Sequence, residues 1–271
     1  MPELPEVETA RRGIAPHLVG QRIANVIVRQ RQLRWPVPAA LVKALPGQTI
    51  RAVERRAKYI LIKTDAGTVL LHLGMSGSLR VLPCRTPPQK ADHVDIALSN
   101  GQCLRLRDPR RFGSLLWTTA DPARHKLLKD LGPEPLGPDF DGGYLFAAAR
   151  GRKLAARDFL MNTRVLAGVG NIYANECLFL AGIRPQRAAG RITRARYARL
   201  AEAIRQTLEK AIRAGGTTLR DFQNVDGLPG YFQQTLNVYG RKDEPCPVCS
   251  TPIRALKLGQ RSAFYCPQCQ S

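Results

Sequence analysis

The spacing of apolar positions changes character about half-way along the chain. From Pro5 to Leu18, the residues Val7, Ala10, Ile14 and Leu18 recur at three- and four-residue steps, which puts them on one face of a helix that Gly20 ends. Pro5 suits the first turn, where its missing N–H costs no hydrogen bond. Glu3 and Glu6 lie on the approach and the opening turn. Both can therefore sit on one side of residue 2, and their charge favours the helix start. Strand-like segments then dominate to about residue 118. "RIANVIVRQ" reads as one strand, "YILIKTDAGTVLLHLGM" as two around the Asp65-Ala66-Gly67 turn, and "HVDIALSNGQCLRLRD" as a hairpin closed at Asn100-Gly101.

The proline- and glycine-rich piece "LGPEPLGPDFDGG", residues 131–143, reads as a linker. Beyond it the period is helical over 144–162, 172–181 and 193–213, the last with Tyr197, Leu200, Ile204 and Leu208 spaced for burial. "GGTTLRDFQNVDGLPGYFQQ" is a long, glycine-bearing stretch suited to a loop that orders around a ligand. Neither an internal repeat nor a low-complexity tract is present. The pattern predicts an α+β chain: a helix-led β domain over 1–130, built as a two-sheet sandwich, a linker over 131–150, a helical domain over 151–235 and a cysteine-bearing tail over 236–271.

Charge changes this picture most. Among 271 residues, 42 Lys and Arg face 21 Asp and Glu, a formal net charge of +21. An excess this large, spread over a foldable chain rather than a tail, favours a polyanionic partner whose phosphates supply salt-dependent but sequence-blind affinity. Composition does not separate DNA from RNA. No apolar run approaches membrane-spanning length, and the polar, acidic start lacks the order of a secretory signal.

Of seven cysteines, Cys84, Cys103 and Cys177 stand alone and read as small buried residues. Cys246, Cys249, Cys266 and Cys269 form two Cys-x-x-Cys pairs separated by 16 residues. Together they offer four soft ligands for one tetrahedral Zn2+, a closed set that folds the tail rather than catalyses. Arg254, Lys257 and Arg261 lie between the pairs, so the metal would brace a basic hairpin. Elsewhere, Gly168, Gly170 and Asn171 mark a tight turn before a helix start that suits a phosphate. "RDPRRFGSL" sets Arg110 and Arg111 beside Phe112, a combination able to wedge into a base stack, and Met75 in "HLGMSG" shares that ambiguity between core and probe. Lys58 opens a strand.

Taken in order, "PELPEVET", "RRAKY", "HLGMSGSLR", "DPRRFG", "LGPEPL", "GVGNIYANE", "GGTTLRDF", "GYFQ…VYGR" and "QR…FYCPQCQ" give the chain a family likeness over essentially its full length. It resembles the bacterial formamidopyrimidine-DNA glycosylases. The resemblance implies a β-sandwich, a helical domain with a helix–two-turn–helix and a zinc finger, acting as a cytoplasmic, nucleoid-associated monomer on damaged double-stranded DNA. It also implies that Met1 is removed and that Pro2 becomes the nucleophile, a secondary amine able to form an iminium with an opened sugar. Glu3 would be the acid/base, Glu6 would support the site, and Lys58 would help position the lesion and its phosphate. Met75, Arg110 and Phe112 would fill the stack left by the everted nucleotide. Asn171 and Arg261 would bind phosphate, with His72, His93, Arg111 and Tyr239 completing the DNA-facing set. Thr217, Thr218, Arg220 and Tyr231 would belong to a loop closing over the lesion.

Two departures stand out. Arg157 replaces the lysine common in the family, and the expectation is that it keeps a phosphate contact with altered geometry. Asn162 removes a carboxylate. The implied reaction is excision of 8-oxoguanine and formamidopyrimidines followed by β,δ-elimination. The alternatives are an oxidised-pyrimidine glycosylase on the same scaffold, a non-enzymatic lesion-binding protein and an RNA-processing factor.

Overall fold

The computed structural model describes residues 2–215 and 236–271. They fall into two compact units, one extending from the N-terminus to Lys129 and the other running from Asp130 to Arg213 and resuming in the C-terminal tail.

The first unit opens with α1 (Leu4–Leu18), whose stripe of Val7, Ala10, Ile14 and Leu18 enters the core as its spacing predicts. Eight strands follow: β1 (Ile23–Val28), β2 (Ile50–Arg56), β3 (Tyr59–Thr64), β4 (Gly67–His72), β5 (Ser78–Pro83), β6 (Asp92–Leu98), β7 (Gln102–Arg107) and β8 (Ser114–Thr118). They pair antiparallel in two sheets of order β1-β6-β7-β5 and β2-β3-β4-β8. Ile60, Ile62, Val69 and Leu71 from one sheet and Ile96, Leu98, Leu104 and Leu106 from the other are each 2% exposed or less, in one cluster. Both inner faces thus line a single core, which makes the unit a sandwich. The β6–β7 turn forms where expected: Gly101 takes φ +83° and the Asn100 side chain accepts the Gln102 N–H at 3.0 Å.

Not everything follows the periodicity. A short helix, α2 (Ala39–Ala44), interrupts the region read as strands, and it buries only Leu41. Six residues give too little length for a helical period to register. Cys84 is exposed rather than buried, its thiol donating to the Gln102 carbonyl at 2.9 Å.

In the second unit the expected helix over 144–162 is two helices, α3 (Gly142–Ala149) and α4 (Ala156–Met161), broken where Gly151 adopts φ +70°. The stretch read as a linker over 131–150 therefore ends in helix. Asp141 caps α3 by accepting the Tyr144 N–H at 2.6 Å. A Cβ on Gly142 would lie 2.5 Å from the Ala198 Cα, so this glycine sets how closely α3 approaches α6 (Arg194–Arg213). Between them in sequence lies α5 (Asn171–Leu180), and the tail adds the hairpin β9 (Arg254–Leu258) and β10 (Arg261–Tyr265). On α6, Tyr197, Leu200, Ile204 and Leu208 are all fully buried, as read from sequence.

A charge cluster fixes α1 to the β2-β3-β4-β8 sheet. The carboxylate of Glu8, buried within the unit, accepts from Arg11 Nη2 at 2.8 Å, Arg12 Nε at 2.7 Å and Arg55 Nε at 3.1 Å. Arg11 also reaches the Val53 carbonyl of β2 at 3.1 Å. Burial alone would raise the Glu8 pKa, but the arginine hydrogen bonds and charges overcome it and hold the group at about 2. Being depressed, this group stabilises the fold above its unfolded value of 4.5, and that stability drains away as pH falls toward about 2. Glu8→Gln should therefore cost on the order of 2–3 kcal/mol at pH 7. In urea titrations across pH, the gap to wild type should narrow steadily once the pH drops below 4.5.

Candidate active site and nucleic-acid interface

Helix α1 presents three unusual residues at the chain start. Pro2 is buried, and Glu3 and Glu6 are 3% and 0% exposed. Acids are almost never this buried without partners. Glu6 Oε2 accepts the Glu3 backbone N–H at 2.8 Å, as the third residue of a capping box does, so the backbone beside Pro2 is pinned by the helix it precedes. Lys58 sits in the β2–β3 turn, which bends at Ala57 with φ +52°. That turn is held by Arg55, whose Nη1 donates to the Ala57 carbonyl at 3.0 Å while its Nε binds Glu8. One arginine thus ties the helix bearing the two acids to the turn bearing the lysine.

His72 ends β4 with its ring 4.8 Å from Tyr59. Its Nδ1 accepts the Gly74 N–H at 2.9 Å, which leaves the hydrogen on Nε2. Burial first, then the charges of Lys58 and Arg34, push its pKa down to about 4. At neutral pH it is an uncharged N–H donor rather than a cation.

Past β4, Met75 is 38% exposed, and across from it Phe112 is 45% exposed. Both are large apolar side chains left in water beside arginines. The Arg110 guanidinium lies 4.9 Å from the Phe112 ring centroid. The two loops touch at Gly74, where φ is +67° and a Cβ would come within 2.4 Å of the Phe112 backbone. Arg111, exposed between the two, holds φ +58°. His93 is buried, and its Nε2 lies 2.8 Å from the Asp108 carbonyl, so that nitrogen is committed within the fold.

In the second unit, α5 opens at Asn171, two residues after Val169 and with Gly168 at φ +82°. Asn171 Nδ2 donates to the Ser262 carbonyl of β10 at 3.0 Å, and Asn175 Oδ1 accepts the Phe264 N–H at 2.8 Å. Arg157 corrects the expectation placed on it. It is 1% exposed, with Nη1 donating to Asn171 Oδ1 at 2.8 Å and Nη2 to the Leu258 carbonyl at 2.7 Å. Its charge is met by Asp158 at 2.7 Å. Burial is the main influence lowering its pKa, with exposed Arg261 adding to it against Asp158. A guanidinium spent on a side chain and a finger carbonyl positions Asn171 instead of reaching phosphate. Asn162 ends α4 and accepts the Arg164 N–H at 3.0 Å.

Sequence reasoning missed Glu176. Its buried carboxylate accepts N–H groups of Asn237, Val238 and Tyr239 at 2.8–2.9 Å, fixing the segment in which Tyr239 packs edge-on against Phe264. The available signal was a lone acid within the otherwise uncharged "NIYANECLFL". Thr217, Thr218, Arg220 and Tyr231 lie outside the described residues.

The sulfurs of Cys246, Cys249, Cys266 and Cys269 lie within 4.8 Å of one another, with Cys246–Cys269 at 3.9 Å and Cys249–Cys266 at 3.4 Å. Tetrahedral zinc with Zn–S near ~2.3 Å needs sulfurs about 3.8 Å apart. The set fits, and the tail holds one structural zinc. Cys246 and Cys266 also join Ile253, Val238 and Phe179 in a small apolar cluster, so metal and core support each other.

Acids buried at the chain start, large apolar side chains exposed beside arginines, a two-sheet sandwich and a four-cysteine finger together fit the class of enzymes that act on nucleic acid. Three family descriptions match in succession: the formamidopyrimidine-DNA glycosylase N-terminal domain over residues 1–115, its H2TH domain over 131–223, and the zinc finger found in FPG and IleRS over 243–271. The chain belongs to the formamidopyrimidine-DNA glycosylase family. It is 60% identical over 270 residues to the formamidopyrimidine-DNA glycosylase of Nitrosococcus oceani and 61% identical over 270 to that of Ectopseudomonas mendocina, each alignment covering 100% of both chains. Among solved structures it is similar to a mutant Lactococcus lactis FPG in complex with DNA containing Fapy-dG, at 33% identity and TM-score 0.92 over 100% of both chains. It is also similar to MutM (FPG) from Thermus thermophilus, at 36% identity and TM-score 0.88 over 99% of this chain and 98% of that one.

Two outcomes follow from the second unit. Stripping the zinc with a strong chelator should melt the four-cysteine tail and abolish tight DNA binding, while strand content of the first unit persists by circular dichroism. Arg157→Met should lower DNA affinity through a loosened Asn171 but leave the slope of log K against log salt unchanged. Arg261→Ala should flatten that slope by about 0.9, the loss of one phosphate contact.

Proposed function

We propose that the protein excises oxidised purines, 8-oxoguanine and formamidopyrimidines, from duplex DNA and then cleaves the resulting abasic site, working as a cytoplasmic monomer. The observation that carries this reading is the pair of buried acids beside Pro2, with Glu6 clamping the Glu3 backbone at 2.8 Å. With Met1 removed, Pro2 is a free secondary α-amine. Such amines titrate near ~7.7–8.0, against ~10.4 for lysine, so a useful fraction is neutral and nucleophilic at physiological pH. Its nitrogen attacks C1′ and the damaged base leaves with the glycosidic electrons and a proton. Glu3 serves as acid/base, protonating the ring oxygen as the sugar opens to an iminium.

The iminium then acts as an electron sink. Loss of a C2′ proton expels the 3′ phosphate, a second elimination expels the 5′ phosphate, and hydrolysis frees the amine. Glu6 holds the site and Lys58 steadies the lesion's phosphate. Met75, Arg110 and Phe112 occupy the vacated stack, with Arg110 reading the orphaned cytosine. His72, Asn171, Tyr239 and Arg261 are assigned to the backbone, as is Arg111. The loop carrying Thr217, Thr218, Arg220 and Tyr231 is assigned to the everted base.

Borohydride reduces an iminium to a stable amine. With duplex carrying 8-oxoguanine opposite cytosine, it should crosslink the protein at Pro2, located by mass spectrometry, and not with undamaged duplex. Absence of a crosslink from zinc-loaded protein with a confirmed free Pro2 would remove the nucleophile assignment.

A further inference from the structure

We infer that Asp108 is a positioning residue for base eversion: its carboxylate locks the loop carrying Met75 to the loop carrying Arg110 and Phe112, so that the three side chains enter the stack as one unit. The inference rests on the wedge role given above to those three residues.

Asp108 is fully buried just beyond β7. Its Oδ1 accepts the Ser76 hydroxyl at 2.9 Å, and its Oδ2 accepts the Gly113 N–H at 2.7 Å. Ser76 follows Met75 and Gly113 follows Phe112, so one carboxylate grips both loops next to the side chains they display. The Ser76 oxygen in turn accepts the Arg110 N–H at 3.3 Å, which closes a ring through both loops. The Asp108 backbone is equally committed. Its carbonyl takes His93 Nε2 at 2.8 Å and the Arg111 N–H at 3.1 Å, and its own N–H donates to Ala91 at 3.0 Å.

Two features separate this from an ordinary buried aspartate. Among the described residues no lysine or arginine pairs with Asp108, although the chain carries 42 of them. Its charge is met by neutral donors from two loops, which gives fixed geometry rather than charge cancellation. The hub also holds Arg111 at φ +58°, a conformation that costs a non-glycine residue energy and persists where surroundings impose it. That bend falls between Arg110 and Phe112 in the chain, and both side chains are exposed, the guanidinium lying over the ring. Without the clamp, Met75 and Phe112 would be free to fold onto the surface and leave water. Held out, they enter a base stack without first paying for order.

A double-mutant cycle tests this by single-turnover excision on duplex with 8-oxoguanine opposite cytosine. Asp108→Asn puts an amide where two acceptors are needed and should slow excision by about 10- to 100-fold. Phe112→Ala should slow it comparably. If Asp108 acts through the wedge, the doubly substituted protein is no slower than the slower single one. Stopped-flow fluorescence of 2-aminopurine placed beside the lesion should show the same delay in stack opening. Ser76→Ala breaks one arm only and should give a smaller delay, again absent in the Phe112→Ala background. It carries the cycle if Asp108→Asn does not fold. Multiplying losses, or an unslowed Asp108→Asn with Phe112→Ala slow, would overturn the Asp108 role alone. An unslowed Phe112→Ala would instead overturn the wedge reading beneath it.

Discussion

Burying Glu8 takes a negative charge out of water, and the cost is offset only because three arginines converge on its two oxygens. Those arginines come from two elements. Arg11 and Arg12 lie on α1 itself, and Arg55 belongs to β2, whose next turn carries Lys58. The helix cannot rotate or slide without breaking bonds to a charge that has no solvent to fall back on. Its N-terminus therefore has one position relative to the β2–β3 turn. Glu6 extends that constraint by one more step, pinning the Glu3 backbone beside Pro2. A terminus would ordinarily fray. Here the proposed nucleophile sits at the end of a helix clamped one turn further in.

The second unit solves a similar problem with different chemistry. Its finger is too small to fold on apolar contact alone, and zinc supplies much of the missing energy. Zinc does not aim the basic hairpin, however. That falls to buried polar groups: Arg157 on the Leu258 carbonyl, Asn171 on Ser262, Asn175 on the Phe264 N–H, and Glu176 on three consecutive N–H groups. Each bond joins a helix to the backbone of the tail. Such bonds add modest net stability but specify one arrangement, because any other strands a buried donor or acceptor.

These hubs mark the border of what the sequence discloses. α1, the Asn100-Gly101 hairpin, α6 and the four-cysteine set are local: their residues act on neighbours within a turn or a fixed spacing, so pattern reveals them. The break between α3 and α4 is subtler, since "YLFAAARGRKLAARDFLM" keeps a helical apolar period across Gly151 while the chain leaves the helix. Arg157 shows the larger gap. By charge and likeness it reads as a phosphate ligand, and only partners 14 and 101 residues away reveal that it is spent internally. Glu8, Asp108 and Glu176 were invisible as hubs for the same reason. An acid in a basic chain reads as unremarkable until its long-range donors are known.

The excess of positive charge cannot by itself explain how a damaged base would be found. A net +21 draws the protein to any duplex, and every phosphate it meets looks alike. Selection must come from groups whose energy depends on the base pair, and these are few and mostly uncharged in effect. His72 is held neutral, so in its proposed role it would contribute a directed N–H rather than more attraction. As proposed wedges, Met75 and Phe112 would gain only if a stack opens to receive them, and a weakened or mispaired nucleotide opens at lower cost than an intact one. Exposing two such side chains forfeits burial energy in the free protein. On the proposed reading that loss would be recovered on opening a stack, most fully where both side chains are already in place. By the same reading, electrostatics sets how long the protein stays on DNA, and the rigid apolar pair sets where on it the amine is given time to react.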